Sequence, residues 1–298
     1  MDWDKLRTFH AVAEAGSFTR AGESLHLSQS AVSRQISALE ESLNAPLFQR
    51  HARGLKLTEQ GRLLLGTVTD IQARLASTRS LLSESAGQPV GPLRITTTVG
   101  LGSTWLTPRI REFLDIYPDI AITLVVDDRE LDLALGEADV AIRMSTPQQP
   151  DLIRRRLMTV HFHVYASKDY LEKHGAPKTP AELAAHRLVA YAEPMPRSFR
   201  DINWLLCVAP GPGQGGRLDP VFWVNSVYGI FRAVRSGLGI ATLPDYLAGS
   251  DQDLVRILPE LEGPSLESYF VYPEALRKST RVAVFRDFLL NQISATPF

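Results

Sequence analysis

Cysteine is almost absent from the chain. Its 298 residues include one cysteine, Cys207, which excludes a disulfide within one chain and a redox sensor built on two cysteines. Cys207 lies in an apolar run, between Leu206 and Val208. We therefore expect a buried, small hydrophobic residue there, in a strand over 207–209.

Net charge and long apolar runs are lacking as well. Lys and Arg number 32 against 33 Asp and Glu, so the net charge of −1 gives no general sign of nucleic-acid binding. No apolar run approaches the roughly 18 residues of a membrane-spanning helix. The N-terminal sequence MDWDKLRTF carries acids early, unlike a signal peptide. We predict no membrane contact and a cytoplasmic location.

What the chain does have is a helix pair at 17–43. Ser17 and Ser28 are good N-caps for a helix over 18–25 and for a second helix after it. Asn44 tolerates the left-handed conformation that ends a helix. The inner face of the second helix is apolar at spacings of four, three and four: Val32, Ile36, Leu39 and Leu43. A leading helix is indicated by Leu6, Phe9, Val12 and Ala13.

The second helix of such a pair places its N-terminal residues in the DNA major groove. Its outward side chains here are short or bidentate hydrogen-bonding groups, which suit base edges and phosphates. The predicted DNA contacts are Ser28, Gln29, Ser30, Ser33, Arg34 and Ser37. The alternative is an ordinary solvated helix face.

A basic segment follows the helix pair. Residues 46–57 hold three basic side chains and no acid, and Gly54 permits a turn at the tip. We predict a small wing whose Arg50, Arg53 and Lys56 neutralise phosphates. The alternative is a solvated loop.

These residues match a known family at fixed spacing. The matches are Phe9, Gly16–Thr19, Ala21, Leu25, Ser28–Ser33, Ile36, Leu39, Glu40, Leu43, Leu47, Phe48, Arg50, Leu57, Thr58 and Gly61. The head resembles that of the LysR-type transcriptional regulators. Further matches over 136–143 and 237–244 extend the resemblance along the whole chain. Asn44 departs from the family, which usually has Gly there.

The resemblance implies the fold class. It is an N-terminal all-α winged helix-turn-helix with a long linker helix, followed by a C-terminal α/β module. That module has two Rossmann-like subdomains and resembles a periplasmic binding protein. The implied domains are 1–58, the linker and hinge 59–90, and the effector module 91–298. Within the module, the chain crosses near His163 and Tyr269, giving subdomain I (91–162 plus 269–298) and subdomain II (163–268). Independently of the family, alternating strand and helix patterns predict an α/β sheet with right-handed crossovers.

The linker segment has a narrow apolar stripe. Residues 58–82 are helical in composition, and their apolar residues recur every four and three positions, as in a coiled-coil seam. The predicted dimerisation residues are Leu64, Val68, Ile71 and Leu75, continued by Thr78 and Leu82. The alternative is that the stripe packs against the chain's own head.

A ligand site is predicted in the effector module. Ligands of open α/β sheets bind beyond the carboxyl ends of strands, and helix N-termini there attract anions. Two helix starts and one arginine at a strand end favour a carboxylate effector. The predicted contacts are Thr97, Thr98, Val99, Gly100, Ser103, Arg143, Asn225 and Ser226. The alternative is plain helix capping, with Arg143 paired to Asp128 or a neighbour.

Other motifs carry little weight. Gly100-x-Gly102 lacks the third glycine of a dinucleotide fingerprint, because position 105 is Trp. His161 and His163 share a strand face without a third ligand nearby in sequence, so no metal is predicted. No acid, base and nucleophile set emerges, so we expect no enzyme, no catalytic residue and no cofactor.

The leading hypothesis is a regulator of transcription that binds double-stranded promoter DNA as a homodimer or homotetramer. A small-molecule effector would change that binding, and RNA polymerase would be a partner. The alternative is a cytoplasmic small-molecule-binding protein that uses its α/β module without regulating DNA.

Overall fold

The chain forms two compact units, Met1–Arg79 and Ser80–Phe298. The structure is a computed structural model that describes residues 2–51, 54–83, 88–146, 149, 151–213, 216–249 and 251–295. Among these residues, no helix combines the length and the apolar character needed to span a membrane.

The first unit consists of helices and one hairpin: α1 Trp3–Ala15, α2 Phe18–Leu25, α3 Gln29–Leu43, β1 Phe48–His51, β2 Gly54–Leu57 and α4 Glu59–Ser83. The predicted caps are confirmed. The side chains of Ser17 and Ser28 accept hydrogen bonds from the backbone of the helices that they start. Asn44 ends α3 in the left-handed conformation with φ 48°. Local capping chemistry therefore sets the boundaries of α2 and α3.

The basic segment is a β-hairpin rather than a loop. β1 and β2 pair antiparallel, with Phe48 opposite Leu57 and His51 opposite Gly54. Gly54 is thus paired, and the tip at 52–53 lies outside the described residues. The Glu40 carboxylate of α3 accepts hydrogen bonds from the backbone nitrogens of Leu47 at 2.7 Å and Phe48 at 3.2 Å. The hairpin is therefore fixed to α3.

The first half of the linker helix belongs to the head. Val68 is fully buried in the core that α1 and α3 build, and Leu64 packs against that core. The prediction that Val68 contacts a second subunit is wrong, because its side chain is already fully buried within the head. Leu64 also packs against the chain's own head, as the alternative interpretation of the stripe predicted. Ile71 is half-buried and Leu75 is 47% exposed, so their pairing with a second subunit remains a prediction.

The second unit alternates strands and helices: β3 Gly91–Thr97, α5 Val99–Leu101, α6 Thr107–Ile116, β4 Ile120–Val126, β5 Val140–Arg143, β6 Leu152–Ser167, α7 Lys168–His174, β7 Val189–Tyr191, β8 Phe222–Val224, α8 Val227–Arg235, β9 Ala241–Pro244, α9 Asp245–Ala248, β10 Leu254–Ile257, β11 Ser265–Pro273 and α10 Thr280–Ala295. A π-helical turn, Gly102–Leu106, joins α5 to α6. The predicted α/β architecture is confirmed.

The sheet is parallel in one part and antiparallel in the other. β3 pairs parallel with β4 and β5, and β11 pairs antiparallel with β5 and β6. β6 changes partners along its length, from β11 up to His161 to β9 from Phe162 onward. This change lies close to the expected crossing at His163.

Three local predictions need correction. β11 begins at Ser265, before the predicted strand start at Tyr269, because polar residues in its first half conceal the strand pattern. The predicted strand over 207–209 is wrong, since Trp204–Cys207 is a short 3-10 helix. Cys207 is also exposed rather than buried.

Candidate functional site

The outward face of α3 is polar and open. Gln29, Ser30, Arg34 and Ser37 are exposed and Ser33 is half-buried. With Ala38 and Glu41 they line a shallow groove of about 530 Å³. Their apolar counterparts Val32, Ile36 and Leu39 are buried on the opposite face, so the amphipathic pattern fixes which residues point outward.

Hydrogen bonds prearrange the start of α3. The Ser28 hydroxyl accepts from the Ala31 nitrogen at 3.2 Å and is hydrogen-bonded to the Ser30 hydroxyl at 3.0 Å. The Arg34 Nε donates to the Ser30 carbonyl oxygen at 3.4 Å. Among the described residues, the two terminal nitrogens of Arg34 have no hydrogen-bond partner, so they are available to an external acceptor. A side-chain hydrogen bond between Thr8 and Gln35 ties α3 to α1.

The wing residues are described only in part. Lys56 is exposed on β2, opposite Gln49. Arg50 lies on β1 opposite Leu55, while nothing is described of its side chain, and Arg53 lies outside the described residues. Their phosphate contacts remain predictions.

The second unit contains a cavity of about 640 Å³, which we call the main cavity. Its walls come from three parts of the chain: residues 129–132, then Arg143, Ser145, Thr146 and Gln149, and then Pro194, Met195, Pro196 and Ser198. A second cavity of about 20 Å³, the small cavity, is lined by Thr96–Thr98 and Asp127–Leu131. Arg143 and Ser198 line both cavities. Segments distant in sequence thus meet at one site beyond the carboxyl ends of β3, β4 and β5.

Arg143 is the buried cation of this site, with 7% of its surface exposed. Its Nη2 donates to the Leu131 carbonyl oxygen at 2.5 Å, and its Nη1 lies 3.6 Å from Glu130 Oε2. Its Nε is buried without a hydrogen-bond partner. Glu130 is therefore the neighbouring ion-pair partner that the structural alternative predicted for Arg143. The Nε of Arg143 remains a donor without an acceptor.

The two predicted helix termini are engaged by groups of the protein itself. The Val99 N–H donates to Asp128 Oδ1 at 3.0 Å, so a carboxylate of the protein itself already occupies the start of α5. A Cβ on Gly100 would lie 2.9 Å from the Tyr246 hydroxyl and 3.9 Å from Val227, so these side chains pack closely against Gly100. In this arrangement Val99 and Gly100 line neither cavity, and their contact with an effector remains a prediction.

Ser103, Asn225 and Ser226 also lie away from the two cavities. Ser226 caps α8, its hydroxyl accepting from the Gly229 nitrogen at 3.3 Å, and Asn225 is exposed. Ser103 is exposed and lines a separate groove over α6 and β4. The capping alternative thus applies to Ser226. Of the predicted effector contacts, the structure brings Thr97, Thr98 and Arg143 together at the small cavity.

The electrostatics of the site centre on two adjacent acids. Asp127 is hydrogen-bonded to Arg129 at 2.9 Å, and this bond lowers the pKa of Asp127. Burial raises the pKa of Asp128, and the charge of Asp127 adds to the effect although the Val99 N–H opposes it. Burial, followed by the charges of Asp128 and Asp127, raises the pKa of Tyr191 to about 12. Burial and Asp128 likewise raise the pKa of Tyr246.

Sequence reasoning missed Asp128 and Ser198 as site residues. Asp128 was detectable, because the run Asp127–Glu130 directly follows β4 at the edge where ligands bind. Ser198 lies in an irregular stretch, and no sequence signal places it at the cavity. His163 is already partnered, with its Nδ1 2.8 Å from Asp245 Oδ1.

Comparison with known proteins agrees with these two units. The family model described as "Bacterial regulatory helix-turn-helix protein, lysR family" matches residues 3–62, and "LysR substrate binding domain" matches residues 86–294. The HTH-type transcriptional regulator CrgA of Neisseria meningitidis serogroup C (strain 8013) is 31% identical over 294 residues, which cover 97% of this chain and 96% of that protein.

Solved structures match over the same length. The structure of CrgA from Neisseria meningitidis superimposes with a TM-score of 0.60 at 29% identity, covering 98% of this chain and 99% of that one. The full-length structure of AphB, the Vibrio cholerae virulence activator, gives a TM-score of 0.59 at 28% identity with the same coverage.

Proposed function

Because the chain belongs to the LysR family of transcriptional regulators, we propose that α3 reads promoter sequence and that the main cavity receives the effector controlling this binding. The protein is a LysR-type regulator with a DNA-binding helix-turn-helix head and an effector-binding α/β unit. We propose no catalytic activity for it.

For the head, we propose that Gln29, Ser33 and Arg34 contact base edges. They lie on the exposed N-terminal part of α3, and Arg34 has free terminal donors that suit a guanine edge. Ser28, Ser30 and Ser37 flank them and suit phosphates, as do the wing residues. The wing residues are Arg50, Arg53 and Lys56.

For the second unit, we propose that Arg143 binds an acidic group of the effector. The observation that carries this proposal is the buried guanidinium of Arg143, which lines a 640 Å³ cavity and whose Nε has no hydrogen-bond partner. A buried donor without a partner is costly, and a carboxylate is its natural acceptor. Thr97 and Thr98 adjoin it at the small cavity. The proposed contacts do not include five residues that line neither cavity: Val99, Gly100, Ser103, Asn225 and Ser226.

We further propose that the protein acts in the cytoplasm as a homodimer or homotetramer and that RNA polymerase is a partner. Promoter half-sites require at least two linked heads. The exposed Leu75 and the half-buried Ile71 offer the remaining part of the seam for that contact.

The cavity proposal is tested by titrating small carboxylates, such as benzoate and succinate, while the anisotropy of labelled DNA from upstream of the gene is recorded. Arg143→Ala is expected to abolish the ligand response and to retain ligand-free DNA binding. A coupling of about 1–3 kcal/mol, roughly 5- to 150-fold in DNA affinity, is typical of such switches. Arg129→Ala is the matched control, because this arginine lies at the same cavity but is paired with Asp127.

A mutant that responds like the wild type would contradict the anion site. Unfolding of the second unit on Arg143→Ala would instead assign Arg143 to the structural ion pair with Glu130. Circular dichroism distinguishes this outcome from a folded protein that no longer binds the ligand.

A further inference from the structure

The acids around the two cavities are not equivalent. Asp127 is bonded to Arg129, and Glu130 accepts from the Ser145 hydroxyl at 2.7 Å while facing Arg143. Asp132 accepts from the backbone nitrogens of Ala134 and Leu135 at 2.8 and 3.1 Å. Each of these carboxylates therefore has partners within the protein.

Asp128 lacks a comparable cation. It accepts one hydrogen bond, from the Val99 nitrogen, and in the described part of the chain no basic side chain forms an ion pair with it. Its partly buried surroundings include the acid Asp127 and the weakly acidic phenols of Tyr191 and Tyr246. The two arginines that line the same small cavity are already engaged, Arg129 with Asp127 and Arg143 with Glu130. A carboxylate in such a position is stabilised by any cation that reaches it.

The small cavity offers the space for such a cation. Its volume of about 20 Å³ exceeds the roughly 10–15 Å³ that one water-sized group requires. Asp128 and Thr97 both line it, and the Thr97 hydroxyl oxygen is buried without a hydrogen-bond partner. An ammonium group has three N–H donors, and a carboxylate and a hydroxyl are suitable acceptors for them.

Arg143 lines the same small cavity as Asp128. One ligand that reaches both residues must therefore carry its two charged groups close together. The amine and the carboxylate of an α-amino acid are separated by a single carbon, and the 640 Å³ of the main cavity is available for the side chain. The paired charges also match the mixed charge of the walls better than a simple anion does.

We propose that the effector is a zwitterion of the amino-acid class, whose ammonium binds Asp128 and Thr97 while its carboxylate binds Arg143. This inference rests on the proposed effector cavity and adds the second charged group of the ligand.

The test measures binding to the full-length protein by calorimetry and by thermal shift. The probes are the proteinogenic L-amino acids, together with 3-phenylpropanoate and 4-methylpentanoate, which lack the amine, and phenethylamine and isopentylamine, which lack the carboxylate. We expect at least one amino acid to bind more than about tenfold more tightly than the acids or the amines, since removing one charged partner from a buried pair costs over a factor of ten.

Two variants assign the groups. Asp128→Asn keeps an acceptor for the Val99 nitrogen and is expected to abolish the preference for amino acids over the deaminated acids. Arg143→Ala is expected to weaken both classes. Asp115→Asn, an exposed acid of α6, is the control for removing one negative charge and should bind all probes as the wild type does.

The outcomes are distinct. If the deaminated acids bind as tightly as the amino acids and Asp128→Asn changes nothing, the zwitterion inference fails while the carboxylate cavity stands. If no probe binds in a manner that depends on Arg143, both proposals fail. Amines that bind as tightly as amino acids would also overturn the inference, because Arg143 would then contribute nothing.

Discussion

The head and the second unit carry their functional groups in opposite ways. In the head, Gln29 and Arg34 are exposed on one continuous helix. In the second unit, Arg143 and Thr97 are 7% and 3% exposed, and they meet Asp128 and Ser198 from separate segments. A surface that must reach into a DNA groove depends on local helical periodicity, whereas a cavity that encloses a small ligand depends on long-range folding.

The largest effect is expected from a substitution in the part of α4 that packs into the head. Val68→Asp would place a carboxylate in the apolar core of the head, at a cost on the order of several kcal/mol. We expect the head to unfold and DNA binding to be lost, while the ligand-binding unit melts as before. Two transitions in calorimetry would check this.

Leu75→Asp on the same helix is the matched control. This side chain is exposed, so the head should keep its stability, and sedimentation then reports whether the seam pairs two subunits. If Val68→Asp and Leu75→Asp lowered the stability of the head equally, the conclusion that the head buries Val68 but not Leu75 would be contradicted.

The next effect concerns sequence readout. Arg34→Ala is expected to weaken binding to a specific promoter site by about 1–3 kcal/mol and to leave binding to random DNA nearly unchanged. Competition gel shifts with both DNAs measure the difference. Equal weakening on both DNAs would assign Arg34 to phosphate binding instead.

A smaller effect is expected from the wing. Lys56→Ala should reduce the slope of log affinity against log salt by about 0.9 for each phosphate that the variant no longer neutralises, with little change in sequence preference. Lys173→Ala, on α7 of the other unit, serves as the control. An unchanged slope for Lys56→Ala would mean that the wing does not touch phosphate.

The smallest effect is expected from Asp128 at the small cavity, on the pH dependence of stability. Because the pKa of Asp128 is raised in the folded protein, its stability contribution is complete below the unfolded pKa and is lost as pH rises through the folded value. Asp128→Asn should therefore raise the ligand-free melting temperature at pH 8, and the gain should disappear near pH 3. A lower melting temperature at pH 8 would show that the charge of Asp128 has a stabilising partner.

Sequence predicted the head well because its determinants are local. Ser17, Ser28 and Asn44 each act on backbone groups within a few residues, so the helix boundaries can be derived without the tertiary structure. Whether the apolar stripe of α4 packs within the head or between subunits cannot be derived in this way. Periodicity indicates that Val68 and Leu75 share a face, while only the packing decides that the head covers the first and not the second.

The cavity was predictable in position but not in composition. The strand ends pointed to Thr97 and Arg143, and both residues line the small cavity. The sequence did not reveal that the helix start at Val99 is engaged within the protein, where the Val99 N–H donates to Asp128, a carboxylate that follows another strand. A contact of this kind depends on strand order, which one sequence does not specify.

The long strand β6 limits the movements that are compatible with the pairing of the sheet. It pairs with two different strands, with His161 still opposite Ser265 of β11 and Phe162 already opposite Pro244 of β9. Sliding by one residue would turn the buried Phe162 and Val164 to the opposite face, so translation along β6 is blocked. We expect any opening or closing around a ligand to occur as a bend or twist of β6 between His161 and Phe162, where neither pairing register has to shift. Amide hydrogen exchange at residues 161–162, measured with and without a ligand, tests this expectation.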